Sequence, residues 1–166
     1  MRARWDSPIS AKRHPAQLDT LSFYVGRLYY GYIGLLESML RDRGLRDVIA
    51  PGMGHILFAL FHEDDRAIKD LSQDVWLSPS TLTGMLDRMQ RAGLITRHRD
   101  SGDGRLVRIR LTELARSLNQ QCQQLAADLD RILHRQIDED DLETLKALLF
   151  QVTRNLREAA GDKALD

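Results

Sequence analysis

Apolar residues recur at spacings near three and four from Leu18 to about Arg43, at Leu21, Val25, Leu28, Tyr32, Leu35, Leu36 and Met39, and predict a long helix. Gly44 supplies its stop. A second helix is expected to begin at Pro51, where the missing N–H costs nothing, and to carry Met53, Ile56, Leu57, Leu60 and Phe61 up to the acidic break "HEDDR". A short helix from Ile68 to Val75 leads into the turn "WLS", after which Ser78 has the character of an N-cap with Pro79 in the first helical position. The following helix buries Leu82, Met85, Leu86 and Met89, ends at Gly93, and presents Ser80, Thr81, Gly84, Arg88 and Arg91 on its other face. Periodicity then switches to two. Ile95 to Asp100 and Leu106 to Leu111 form β-competent segments joined by "SGDG", a hairpin signal, with Val107, Ile109 and Leu111 on one face and Arg108 and Arg110 on the other.

Helical spacing returns after the hairpin. Thr112 is expected to cap a long helix to about Arg135 whose residues Leu118, Cys122, Leu125, Leu129 and Ile132 form a heptad-like seam. A last helix opens at Asp138, where three further acids suit the positive helix terminus, and repeats the seam through Leu142, Leu145, Leu149, Val152 and Leu156. The polar stretch 1–17, broken by Pro8 and Pro15, reads as a frayed arm. Residues 18–166 then make one domain, with a central unit at about 51–111 and long helices at about 18–43, 112–135 and 138–160. The fold class is mainly α with a small β-hairpin, α+β. A helix of about 25 residues spans nearly 40 Å, so these seams extend past a compact protomer, and a homodimer made by the first and last two helices is expected.

Composition narrows the chemistry. The chain has 166 residues, 43% of them hydrophobic, enough for one substantial core. Its 24 basic and 24 acidic side chains cancel, yet they segregate: seven arginines lie between Arg88 and Arg110 against Asp100 and Asp103, while the stretch after Gln136 is acid-rich. A single cysteine, Cys122, rules out an internal disulfide and suits a reducing compartment; with no secretory leader and no apolar run of about 18 residues, a cytoplasmic protein without a membrane partner is expected. The glycines of the hairpin are not a nucleotide loop, since no helix opens directly after them and no Lys-Ser or Lys-Thr pair follows. No nucleophile and base stand at a recognisable spacing, so neither catalysis nor a cofactor is expected. His62, Glu63, Asp64 and Asp65 are adjacent without coordination geometry and read as a solvated loop, so no metal site is expected.

A short helix, a tight turn, a second helix with small polar residues at its exposed start, and a basic hairpin make a winged helix-turn-helix. The stretch "DLSQDVWLSPSTLTGMLDRMQRAGLITRHRDSGDGRLVRIRLTELA", Asp70 to Ala115, resembles the MarR family of bacterial transcription regulators. "LSPST" leads into "LDRMQRAGLI", and Asp100, Asp103 and Arg105 reproduce the D-x-x-D-x-R wing ahead of an "LT" helix start. The resemblance implies double-stranded DNA as partner. Ser78, Ser80, Thr81, Thr83 and Arg88 would serve the helix in the major groove, and Arg105 would reach into the adjacent minor groove. Arg97, Arg99 and Arg108 add charge from the wing strands, with Arg110 beside them, while Asp100 and Asp103 hold the turn.

Three positions depart from the family pattern: Gly84 where a longer polar or basic side chain is common, Trp76 in the turn, and Ala115 for the usual glycine. The tyrosines of the first helix, Tyr24, Tyr29, Tyr30 and Tyr32, read first as core. The family also binds small aromatic or anionic molecules, for which Tyr24, Arg27 and His55 are the candidate anchors. Cys122, on its seam, reads as a buried inert thiol rather than a redox switch. The resulting expectation is an effector-responsive repressor that binds a pseudo-palindromic operator as a homodimer. The alternative is a winged-helix interaction or sensor module without DNA binding, for which Gly84 is the best argument.

Overall fold

A computed structural model describes residues 19–75, 77–159 and 161. The expected arm at 1–17 and the turn residue Trp76 lie outside them. The first helix, α1 (Leu21–Asp42), is capped by Thr20, whose side chain accepts from the Phe23 N–H, and is followed by Gly44 at φ 67°. Next comes α2 (Met53–His62). It starts two residues later than Pro51 suggests, because Gly52 at φ 90° breaks the helical path and leaves Pro51 in a turn. The left-handed conformation is what favours glycine there; a Cβ would also come within 2.7 Å of Met85 Cε, the mobile end of a flexible side chain that can shift aside.

A two-residue strand, β1 (Arg66–Ala67), follows, then α3 (Ile68–Asp74), α4 (Pro79–Arg91), β2 (Ile95–Arg99) and β3 (Val107–Leu111). The hairpin is therefore part of a three-stranded antiparallel sheet in the order β1-β3-β2. Sequence periodicity misses β1 because two residues are too few to alternate. The long helix expected from Thr112 is divided into α5 (Glu113–Ser117) and α6 (Asn119–Leu133). Leu118 stands between them, its N–H shared between the Leu114 and Ala115 carbonyls, a tightening of the turn from α toward 3₁₀. Finally α7 (Glu139–Ala159) begins behind Asp138, whose side chain accepts from the Asp141 N–H.

One core joins these elements. Ile56, Leu57 and Leu60 of α2, Leu71 of α3, Leu82, Leu86 and Met89 of α4, and Ile95 and Ile109 of the sheet are almost fully buried. Ala115 is fully buried in the same cluster. The core continues into α1 and α6 through Met39, Leu40, Cys122, Leu125 and Leu129, and Arg43 ties the two helices at 2.5 Å from Asp128.

This corrects the reading of the α6 seam. Cys122, Leu125 and Leu129 pack inside the chain because α1 and α2 cover them, and Ile132 alone of the buried-face series stays exposed. The open apolar surface lies elsewhere. Among the described residues, α7 buries none of its side chains, and Leu145, Leu149 and Leu156 of its seam are exposed. Leu21, Leu28, Tyr24, Tyr29 and Tyr30 of α1 are exposed as well, so these three tyrosines are not protomer core, whereas Tyr32 packs against it.

Candidate nucleic-acid interface

The start of α4 is built by a serine cap. Ser78 is extended at φ −60°, ψ 149°, its Oγ accepts from the Thr81 N–H at 3.3 Å and lies 2.8 Å from Thr81 Oγ1, and Pro79 occupies the first turn. Ser78, Ser80, Thr81 and Thr83 are all exposed on this N-terminal half. Thr83 donates to the Pro79 carbonyl at 2.8 Å, which fixes its hydroxyl and leaves its lone pairs free to accept. Arg88 is exposed further along, its Nε 3.3 Å from the Gly84 carbonyl. At Gly84 a Cβ would meet nothing within 4 Å. Gly84→Ala is therefore expected to stabilise the protein by about 1 kcal/mol through helix propensity, read as a rise in the chemical-denaturation midpoint.

The wing turn is held by its two acids. Asp100 Oδ1 accepts from the N–H groups of Gly102 (2.8 Å) and Asp103 (3.0 Å), and Asp103 Oδ1 accepts from the Arg105 N–H (3.0 Å). Backbone bonds between Asp100 and Leu106 and between Leu106 and Asp103 close the loop. The Arg105 backbone is thus fixed while its side chain is exposed.

The strand arginines do not share one outward face. Register pairs Arg97 with Ile109 and His98 with Arg108, so Arg97 and Arg99 lie on the side of Ile95 and Ile109, and Arg108 and Arg110 on the opposite side with His98 and Thr96. Their charges also differ in availability. Arg97 pairs with Asp87 of α4 at 2.7 Å, Arg110 with Asp65 at 2.6 Å, and Arg108 with both Asp65 and Asp100 at 3.1 Å. Among the described residues, Arg88, Arg91, Arg99 and Arg105 have no ion pair, which leaves them as the free positive charge on α4 and at the wing.

The acidic stretch before β1 is not a solvated loop. Asp64 accepts from the Leu111 N–H at 2.8 Å and from Arg116 at 2.7 Å, and Asp65 lies 3.0 Å from His98 in addition to its two arginines. The signal that sequence reading passed over is two adjacent acids facing an alternating basic strand. Asp65 and Asp100 are held below the ordinary carboxylate range, Asp65 chiefly by its bond from Arg110 and then Arg108, Asp100 by the Asp103 and Gly102 N–H groups and then Arg108. At Asp64 partial burial pushes upward, but the Leu111 N–H and Arg116 outweigh it and the net shift is also down. Carboxylates shifted down in the folded state contribute stability that is present above their unfolded value and lost as pH falls through the folded one. Denaturation midpoints are therefore expected to hold near neutrality and decline below about pH 4, and Asp64→Asn to flatten that acid limb.

Other candidate residues fall outside this surface. The Tyr24 hydroxyl donates to Asp19 at 2.9 Å, Arg27 stacks over Phe23 at 5.7 Å, and His55 is exposed on α2. None of the three lines the cavity of about 100 Å³ between α1, α2 and α6, whose walls include Tyr32, Leu36, Leu57, Phe58, Cys122 and Leu125. Nor do they line the wider groove of about 660 Å³ between α1, α6 and α7. Burial raises the Cys122 thiol pKa, which disfavours its thiolate. Among the described residues no group of His, Cys, Asp or Glu has the arrangement of a metal site, and no helix is long and apolar enough to cross a membrane.

Residues 51–107, from α2 through the wing turn, match the model of the MarR family. The organic hydroperoxide resistance transcriptional regulator of Bacillus subtilis (strain 168) is 33% identical over 102 residues, which cover 61% of this chain and 68% of that protein. The chain belongs to the MarR family. It is a winged-helix transcription regulator by descent, and its relatives are regulators rather than enzymes. Solved structures of MarR-type proteins share the fold. A probable transcriptional regulator from Pseudomonas aeruginosa superimposes with a TM-score of 0.71 at 22% identity, covering 81% of this chain and 97% of that one. A mutant MarR from E. coli, complexed with operator DNA, gives 0.69 at 24%, covering 82% and 95%.

Proposed function

We propose that this MarR-family protein is a homodimeric repressor of a pseudo-palindromic operator, with α4 in the major groove and Arg105 in the neighbouring minor groove. The observation that carries the reading is the pairing of the exposed Ser78–Thr83 end of α4 with a rigid wing turn whose Arg105 side chain is free of any ion pair. Ser80 and Thr81 offer hydroxyls and the helix terminus favours phosphate. Arg88 and Arg99 extend the positive surface. Arg97, Arg108 and Arg110 are held by carboxylates and serve the wing's structure before they serve DNA. A homodimer is supported by the exposed apolar residues of α7 and α1, Leu145, Leu149 and Leu156 with Leu21, Leu28 and Tyr30 among them, which a second copy would cover.

Effector response fits the cavity between α1, α2 and α6. It sits where the long helices meet the winged unit, so occupancy would favour one spacing of the two winged units over another. Its apolar walls suit a small apolar molecule, whereas Tyr24, Arg27 and His55 would serve an anion only outside it. A structure of Bordetella bronchiseptica BpsR, similar to this chain at a TM-score of 0.72, concerns regulation of its DNA binding by 6-hydroxynicotinic acid.

Binding of the purified protein to genomic fragments, including the DNA flanking its own coding region, tests the reading. Affinity is expected to fall steeply with salt, as phosphate neutralisation requires. Immeasurable affinity for every fragment at low salt would leave the interaction-module alternative in its place.

A further inference from the structure

The Asp65 carboxylate belongs to the loop between α2 and β1, yet it is wired to the wing turn. Arg108 Nε donates to Asp65 Oδ1 at 3.1 Å, and Arg108 Nη2 donates to the Asp65 carbonyl. The same guanidinium donates through Nη1 to Asp100 Oδ2 at 3.1 Å. Asp100 Oδ1 in turn takes the Gly102 and Asp103 N–H groups, and Asp103 takes the N–H of Arg105. Hydrogen bonds thus run without a break from Asp65 to the residue at the wing tip.

The near end of this chain is anchored. Asp64 beside it holds the Leu111 N–H and Arg116, and β1 pairs with β3 at Arg66–Ile109 and Ala67–Arg108. Asp65 itself adopts φ 58°, in the left-handed region, a conformation that Asp and Asn tolerate better than most residues and that persists where surrounding bonds impose it. A two-stranded hairpin alone is marginally stable, so the outer half of the wing depends on such a tether for a fixed direction.

We propose that Asp65 is a positioning residue for DNA binding, which through Arg108 and Asp100 fixes the wing turn and so aims Arg105 without touching DNA. The proposal rests on the DNA-binding reading above. It also assigns Arg108 to the tether rather than to a phosphate.

Asp65→Asn keeps a residue suited to the left-handed backbone and removes the charge. Operator affinity is expected to fall about tenfold, the scale of one lost groove contact. In a double-mutant cycle, Arg105→Ala should then cost little more in the Asp65→Asn background, while Arg88→Ala should cost as much as it does in the native chain. A residue that merely supports the fold would not couple to the wing tip selectively. Additive losses for Asp65 and Arg105, or unchanged affinity, would overturn the proposal.

Arg108→Gln cuts the tether from its other end and should behave alike, with the slope of log affinity against log salt unchanged. A slope reduced by about 1 would make Arg108 a phosphate ligand instead. Amide exchange without DNA gives an independent arm: Gly102 and Asp103 should exchange faster in both variants. If the native protein binds no DNA, the regulator reading fails, and unchanged exchange at these two amides would separately overturn the tether.

Discussion

Leu156→Asp is expected to convert the proposed dimer to monomers at micromolar concentration and to abolish operator binding at that concentration, while each protomer keeps its fold. Leu156 is 60% exposed in the protomer, so the carboxylate replaces no core contact there. In the dimer the seam Leu142, Leu145, Leu149, Val152 and Leu156 would be covered, and twofold symmetry would bury the new charge twice. An uncompensated buried charge costs about 3–5 kcal/mol, which weakens association more than a hundredfold for each copy. Two linked half-site contacts exceed one by about 10²–10⁴ in affinity, so loss of the dimer carries DNA binding with it. Sedimentation and circular dichroism read the two halves of this prediction. A native protein that sediments as a monomer, or a Leu156→Asp protein that remains dimeric, would remove the α7 seam from the interface.

Arg105→Ala is expected to weaken operator binding by about 1–3 kcal/mol, roughly five- to more than hundredfold, with no loss of stability. The side chain is exposed and free of ion pairs, and the turn is held by the backbone of residue 105, which alanine retains. If the lost contact is mainly with phosphate, the salt slope flattens by about 1; if it lies in a narrow minor groove, discrimination between sites falls as well. Arg110→Ala makes the contrast, since Arg110 spends its charge on Asp65. It should change affinity little. Fluorescence anisotropy across a salt series measures both variants, and an Arg105→Ala protein with native affinity and slope would take this residue out of the interface.

Elements with long period or strong punctuation were legible in the sequence. Ser78-Pro79 marks the start of α4, Gly44 and Gly93 follow helix ends at φ 67° and 73°, and strict alternation marks β3. What stayed hidden depends on partners distant in the chain. Asp64 and Asp65 look like a solvated acidic break until β1 pairs with β3 and brings Arg108, Arg110 and Arg116 to them, 43 to 52 residues away. For the same reason the arginine run overstated the free charge of the wing, because sequence shows the cations but not the carboxylates that the sheet and α4 place against them. The seam of α6 had the same spacing as that of α7, and only tertiary packing decides that Cys122, Leu125 and Leu129 face α1 and α2 while α7 stays open. Gly52 shows the local counterpart: helical spacing runs back to Met53, but a left-handed glycine sets the boundary.

Two copies of the chain, each presenting α4 and its wing to one half of a shared operator, should leave a footprint that a lone winged unit cannot. On the DNA flanking the coding region, footprinting is expected to show a single protected region with twofold symmetry, its half-sites centred about one helical turn apart. Minor-groove protection should mark its outer edges and vanish with Arg105→Ala. Protection without symmetry, or none at micromolar protein and low salt, would rule this arrangement out.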